Sequence, residues 1–429
     1  MEHAVPQTQS PFATEPIGRL IVKFAVPSVI ALLVNSLYNI VDQIFIGWGV
    51  GYLGKGATII ALALSMMIGN GGAAYLSLKM GEGEVETAKK GVGNAVTLVT
   101  IVSILLAVIF LVWIDPILTL FGATDVLRPF ALEYGFIIGA GLPFMMISAA
   151  INSMIRADGS PKYAMLSMVI GAIINVILDP VFIFVFQMGV KGAAIATIIG
   201  QVASFVVSVL YMPHFKSVQL NKSSFAPCAK VSVNIVIFGL SSFITQFAIT
   251  IVMALTNNLL AKYGAQSVYG AEIPLTATGI VMKVNQIMIA ILLGIATGTQ
   301  PIIGYNYGAK SYHRVKKALE ISLIASEIVS VAAFLIFQFA PMSVVSLFGS
   351  EEGLYNEFAV KAFRIFLMLC PLTGFQTINK KVYYFRPSTG SMIHFGWVNI
   401  NGNRYYFHDD GHAQTGLAVI GGERYFFRT

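Results

Sequence analysis

The sequence predicts an all-α polytopic membrane protein, a two-lobed helical bundle followed by a small C-terminal β-hairpin repeat tail, and three observations carry that prediction. Of 429 residues, 56% are hydrophobic and only 11% charged, with a mean hydropathy of +0.77, whereas soluble domains carry about a quarter charged residues. The sparse charges divide the chain into apolar segments near 24–47, 57–78, 91–114, 134–155, 163–187, 192–213, 231–261, 273–305, 321–346 and 365–379. Most reach the roughly 20 residues that a bilayer-spanning helix needs. Finally, two separated motifs recur at one offset of 227 residues: Met80-Gly81 with Ala88-Lys89-Lys90 matches Tyr307-Gly308 with Val315-Lys316-Lys317, and Phe121-Gly122-Ala123 matches Phe348-Gly349-Ser350. A shared offset argues for duplication.

Taken in order, residues 1–18 are polar and lack the basic start and short apolar core of a cleaved signal peptide. Six segments make a first lobe, 19–213. Its internal Pro27, Pro143 and Pro180, like Pro301 later, read as kinks that neighbouring helices or water can satisfy. Residues 214–230, a basic stretch with Asn221, serines and Pro227, form a linker. Four segments follow as a second lobe, 231–379, of which the last is short and spans only if it borrows the stretch around Lys361 and Arg364. Because six is even, the two lobes share one orientation, related by an axis along the membrane normal. A full copy of the first lobe would run to about residue 440, so this lobe is expected to lack two helices. From Lys380 the chain instead turns aromatic and polar, and Tyr383-Tyr384-Phe385, Tyr405-Tyr406-Phe407 and Tyr425-Phe426-Phe427 recur between Gly-rich turns such as Asn401-Gly402. Aromatic strands joined by Asn-Gly and Asp-Gly read as β-hairpins.

The basic residues give orientation. Counting loops alternately, one side collects fourteen lysines and arginines, among them Arg19, Lys89, Lys90, Arg156 and Lys316, against four on the other: Lys55, Arg128, Lys191 and Lys262. That asymmetry predicts a cytoplasmic N-terminus in a multi-pass plasma-membrane protein. The net charge of +7 is dispersed through loops, so no nucleic-acid partner is expected. Cys228 in a loop and Cys370 in an apolar segment do not suggest a disulfide framework. Gly51-Tyr52-Leu53-Gly54-Lys55 lacks the spacing of a phosphate loop, so uphill transport would draw on an ion gradient and no cofactor. His408-Asp409-Asp410-Gly411-His412 falls on a repeat turn and is not taken as a metal site. No nucleophile and base pair can be placed, so an enzyme is not expected.

Ionisable residues inside apolar segments are costly and are therefore the candidates for function. Depth sorts them. Asp42 lies about 28 Å along its helix from Lys23, and Asp179 about 25 Å from Lys162; Thr197 lies about 9 Å in from Lys191 on the opposite side. These levels coincide, and Asn175, four residues before Asp179, shares its face. Asp42, Asn175, Asp179 and Thr197 are thus a candidate cluster for H+ or Na+. Two carboxylates there would titrate as a coupled pair. The alternative is that Asp42 marks the outer interface and Asp179-Pro180 is a capped helix break. Glu327 is expected at an interface, while Lys283 pairs with an acid or faces a cavity.

Several motifs together carry a family likeness: Leu37-Tyr38-Asn39-Ile40-Val41-Asp42 with Gly47, Arg156-Ala157-Asp158-Gly159, Asn175-Val176-Ile177-Leu178-Asp179-Pro180, Gly192-Ala193-Ala194-Ile195-Ala196-Thr197, and Gln300-Pro301-Ile302-Ile303-Gly304-Tyr305-Asn306-Tyr307-Gly308. Over about residues 15–376 the chain resembles the multidrug and toxin extrusion (MATE) family, in its prokaryotic DinF-like branch. The resemblance implies a two-lobed antiporter with alternating access, exporting organic and often cationic compounds against H+ or Na+, embedded in the lipid bilayer and acting as a monomer. It carries the family's cation site onto Asp42, Asn175, Asp179 and Thr197. Tyr38, Asn39 and Lys283 are candidates for substrate contact or coupling.

The family has twelve helices and this chain is expected to stop after ten. Its tail resembles cell-wall or choline-binding repeats, whose aromatics hold a quaternary ammonium or a glycan; Trp397, Tyr405, Tyr406 and Tyr425 are the candidates, or else form only a hairpin core. Alternatives to an antiporter are a transport-inactive, membrane-anchored choline-binding or cell-wall-binding protein, or an artefactual fusion.

Overall fold

The computed structural model describes residues 10–46, 50–120, 128–270, 272–346, 353–375, 396–400, 403–407, 416–420 and 423–427. Residues 1–371 and 372–429 form two compact units. The first is helical throughout: α1 (Pro11–Thr14), α2 (Ile17–Ile46), α3 (Val50–Glu82), α4 (Val85–Val112), α5 (Ile114–Leu120), α6 (Arg128–Ala157), α7 (Pro161–Pro180), α8 (Gly189–Leu210), α9 (Ala229–Gly264), α10 (Glu272–Gly308), α11 (Tyr312–Phe339), α12 (Pro341–Ser346) and α13 (Leu354–Phe366), with α14 (Cys370–Phe375) at its boundary. A helix satisfies every internal backbone group along its own length, which is what apolar sequence without water requires. Nine of these helices, among the described residues, are long and apolar enough to cross a membrane. From Ile101 to its end, the exposed positions of α4 are Ile101, Ile104, Leu105, Val108, Ile109 and Val112, an apolar stripe suited to lipid.

The tenth segment departs from expectation. The last stretch does not form one spanning helix: α13 has 13 residues, about 20 Å, and the chain breaks at Leu367–Leu369 before α14. Pro371 explains the break, because its ring would strike the carbonyl four residues earlier, that of Leu367. Instead α13 is amphipathic. Tyr355, Ala359 and Phe363 are buried at helical spacing, packing into a core with Val281, Val284 and Phe337, while Glu357 and Lys361 pair at 2.6 Å on the exposed side.

The duplication is visible in the helix bounds. α4 and α11 have 28 residues each and start 227 residues apart, at Val85 and Tyr312; α5 and α12 start at the same offset, at Ile114 and Pro341. The copies do not stay separate. α2 packs on α10, α3 packs on both α9 and α10, and the crossings are made by glycine. A Cβ at Gly81 would fall on the Tyr305 carbonyl oxygen, and one at Gly308 on the Leu78 carbonyl oxygen. Gly71 and Gly239 likewise seat α3 against α9, where added carbons would meet the carbonyls of Ile235 and Met67. Where lipid replaces water, such close backbone approach is a main source of helix association.

Turns and linker are fastened by side chains. The α6–α7 turn passes through Gly159 at φ +87, a left-handed conformation that glycine adopts without penalty. The neighbouring Asp158 carboxylate, 4% exposed, accepts hydrogen bonds from Tyr211 Oη at 2.7 Å, from the Lys216 and Ser217 amides at 2.8 Å each, and from the Ser217 hydroxyl. Burial nonetheless pushes this carboxyl above the usual carboxylate range. The linker lies along α4. Thr97 Oγ1 donates to the Phe225 carbonyl at 2.9 Å, Asn94 Nδ2 donates to the Ala226 carbonyl at 3.2 Å, and Asn94 Oδ1 accepts the Cys228 amide at 2.6 Å.

The second unit contains two antiparallel strand pairs, β1 (Gly396–Ile400) with β2 (Asn403–Phe407) and β3 (Gly416–Ile420) with β4 (Glu423–Phe427). They form separate two-stranded sheets. Trp397 stands opposite Tyr406 and Tyr425 opposite Ala418. The Tyr383-Tyr384-Phe385 motif lies outside the described residues.

Gly308→Val should destabilise the α3–α10 crossing, since overpacking against fixed backbone costs about 1–3 kcal/mol. Thermal unfolding in detergent should show a lowered midpoint. Gly18→Ala, where a Cβ meets nothing within 4 Å, should leave the midpoint unmoved or raised.

Candidate functional site

α7 and α8 are antiparallel neighbours whose contact faces are built from small residues. Gly171 and Gly200 meet there, a Cβ on Gly200 falling 2.6 Å from the Gly171 carbonyl oxygen and 3.2 Å from the Asn175 Cβ. Gly192, Ala193 and Ala196 continue that face of α8, all buried. One helical turn separates Asn175 and Asp179 on α7, and the close approach of α8 brings Thr197 to them. Asn175 Nδ2 donates to Asp179 Oδ1 at 3.2 Å and to Thr197 Oγ1 at 3.4 Å, while Thr197 Oγ1 donates to the Ala193 carbonyl at 3.0 Å. Asp179 is 0%, Asn175 2% and Thr197 9% exposed.

Sequence explains the local geometry. Asp179 precedes Pro180, which has no amide hydrogen, so the carbonyl of Val176 loses its usual partner. The helix then widens into a π turn over Val181–Val185, where the Phe186 amide bonds the Val181 carbonyl at 3.0 Å. Single π turns are frequent at functional positions. Asn175 Oδ1 is buried without a hydrogen-bond partner among the described residues. A carboxylate and a hydroxyl therefore meet in an apolar surround with the Asn175 amide nitrogen donating to both, and the two oxygens are hard donors of the kind that suits a small cation or a proton.

The structure thus brings together Asn175, Asp179 and Thr197 of the four residues the sequence singled out. Asp42 lies on the helical backbone of α2, which packs on α7, but its side chain, like that of Asn39, lies outside the described residues. Tyr38 is half-buried on α2. Lys283 is half-buried on α10, between Val281 and Val284 of the second-copy core, so it belongs to another part of the bundle. In the tail, Trp397 is on β1, Tyr405 and Tyr406 on β2 and Tyr425 on β4. Tyr406 is half-buried; the side chains of the other three lie outside the described residues.

Sequence reasoning missed a second polar cluster toward the other end of the same helices. Asn152 Nδ2 donates to Ser208 Oγ at 3.1 Å and to Ser167 Oγ at 3.4 Å, and the two serine hydroxyls are 2.8 Å apart. Four-residue spacing was the available signal: Ser148 and Asn152 on α6, Ser204 and Ser208 on α8, each pair on one helix face. Sequence reasoning also took Arg156 for a loop marker, whereas its side chain is half-buried on α6 and donates to Ser153.

Comparison with known proteins agrees with this architecture. The MatE family model matches residues 27–181 and 242–384, and the choline-binding repeat model matches residues 395–429. Multidrug export protein MepA of Staphylococcus aureus (strain N315) is 23% identical over 355 residues, covering 80% of this chain and 76% of that protein. MepA of Staphylococcus haemolyticus (strain JCSC1435) is 23% identical over 352 residues, 79% and 75% of the two chains. Among solved structures, an outward-facing multidrug resistance MATE family transporter of the MOP superfamily matches with a TM-score of 0.79 at 24% identity, covering 88% of this chain and 84% of that one. With most of its helical unit matched by that family model, this multi-pass membrane chain belongs to the MATE family.

Proposed function

We propose that this protein is a secondary active antiporter that exports organic, often cationic, compounds in exchange for H+ or Na+ by alternating access, with its N-terminus in the cytoplasm. The observation that carries this reading is the carboxylate of Asp179, buried with Asn175 and Thr197 inside an apolar lobe. A bare carboxylate in such surroundings is costly, so a proton or a sodium ion that neutralises it is held tightly, and its release changes the packing preferred by α7 and its neighbours. Asp42, from α2, is the proposed fourth member of this site; Tyr38, Asn39 and Lys283 are proposed substrate or coupling positions.

In this reading the lobes are 19–213 and 231–379, joined by the linker 214–230. The exported compound binds between them, and the coupling ion returns through the first lobe. The glycine crossings of α3 with α10 and of α3 with α9 close one side. Backbone surfaces meeting without interlocked side chains can part and reform, as alternating access requires. The MepA relatives, named as multidrug export proteins, support the substrate class.

A second reading is favoured by the match of residues 395–429 to a choline-binding repeat: the tail is a binding module whose aromatics, Trp397, Tyr405, Tyr406 and Tyr425, hold a quaternary ammonium or cell-wall glycan. Taken alone, it makes the protein a membrane-anchored binder.

Two measurements separate these readings. Asp179→Asn in proteoliposomes should lower gradient-driven efflux of a cationic dye at least about tenfold, because losing a charge-assisted interaction costs about 1.5–3 kcal/mol. Comparing an imposed pH gradient with an imposed Na+ gradient identifies the coupling ion, and wild-type efflux in the variant would refute the site. Retention of the full chain on immobilised choline, weakened about two- to thirtyfold by Trp397→Ala as expected for loss of a cation–π contact of about 0.5–2 kcal/mol, would establish the tail's ligand. No retention of the unmodified protein would remove the second reading.

A further inference from the structure

The helical arginines meet different fates. Arg128 forks the Asp115 carboxylate at 2.9 and 2.6 Å. Arg314 grips the Asn306 amide oxygen at 2.9 Å and the carbonyls of Phe12 and Glu15 at 2.9 and 2.7 Å. Arg19 and Arg364 are exposed. Arg156, one residue from the end of α6, is half-buried without a carboxylate in salt-bridge distance among the described residues, and where Arg314 makes three hydrogen bonds it makes one, to Ser153.

Its surroundings form a chain of polar groups that runs across both copies of the repeat. Arg156 Nη2 donates to Ser153 Oγ at 2.8 Å, and Ser153 Oγ donates to Asn70 Oδ1 of α3 at 3.1 Å. Asn70 Nδ2 donates to Ser242 Oγ of α9 at 3.2 Å, and Gln300 Nε2 of α10 donates to the Asn70 carbonyl at 3.1 Å. Asn70, Arg156, Ser242 and Gln300 are each only partly buried, so the cluster is not sealed within the bundle. A guanidinium has five N–H donors in a planar fork, and one of them goes to Ser153. A desolvated cation without a counter-charge is costly, and the fork matches the two oxygens of a carboxylate.

We infer that Arg156, with Asn70, Ser153, Ser242 and Gln300 around it, is an anion subsite between the lobes that takes the carboxylate of an amphoteric organic compound. This rests on the transporter reading and sharpens it: an amphoteric substrate is held by its acidic end at a point touching α3, α6, α9 and α10. Because that point bridges both copies, an occupied subsite ties the ligand to the surfaces that must separate during transport.

The test is equilibrium binding of two dyes to the purified full chain in detergent, without any gradient, so its outcome is independent of ion coupling. Rhodamine 110 carries a free carboxylate; rhodamine 123 is its methyl ester and is purely cationic. Fluorescence anisotropy should show rhodamine 110 bound more tightly than the ester. Arg156→Gln should weaken rhodamine 110 by about tenfold and leave the ester unchanged. Arg156→Lys, which keeps the charge but not the fork, should lower the preference part of the way, and it decides the matter if the glutamine variant does not fold. Equal binding of both dyes by the parent, binding of neither, or proportionate weakening of both in the arginine variants would overturn the proposal.

Discussion

Everything in the helical unit depends on the close approach of α3 and α10 through Gly81 and Gly308. At that crossing each helix places a residue without a side chain against a carbonyl of the other, Tyr305 on one side and Leu78 on the other. In lipid there is little hydrophobic gain from bringing two apolar helices together, so dispersion between closely fitted backbones supplies the adhesion. Because the glycines are equivalent positions of a duplicated sequence, the contact is nearly symmetric. Beside it, α2 lies on α10 and α3 on α9, the latter through glycines of its own, Gly71 and Gly239.

The candidate site depends on the same device used within one copy. Gly171 and Gly200 bring α7 and α8 together so closely that Asn175 can reach both Asp179 and Thr197 with one amide group. Larger residues at those glycines would hold the helices apart and part Thr197 from the Asn175–Asp179 pair of α7, leaving polar groups less satisfied in hydrocarbon, which is expensive. Packing and site chemistry are therefore not independent here. The small residues are what turn a sequence pattern into a donor set.

The fold class and the approximate places of the nine spanning helices were legible because lipid imposes a length and a composition on every spanning helix, but α2, α3, α4, α6 and α11 begin six or more residues before their apolar segments, in more polar sequence that hydropathy does not mark. The polar face shared by Asn175 and Asp179 was legible for a similar reason, since four-residue spacing and depth both follow from helix rise. Thr197 was reachable only by assuming that α7 and α8 are antiparallel neighbours. Arg156 was misread: position along the chain put it at a helix end, but an arginine side chain is long enough to fold back along its helix toward Ser153 and Asn70. The break at Leu367–Leu369 was also missed, although Pro371 was in view, because hydropathy averages over a window and is blind to a single lost amide.

The linker has a mechanical consequence. Its length in sequence suggests a loose tether, yet the Asn221 side chain caps a short turn by accepting from the Ser224 amide, and Asn94 holds the Cys228 amide immediately before α9 begins at Ala229. The first residue of α9 is thereby pinned to the flank of α4. A helix fastened at one end pivots rather than slides, so its displacement grows with distance from the pin. The far end of α9, near Gly264, has the longest lever arm and sweeps the widest arc for a given rotation.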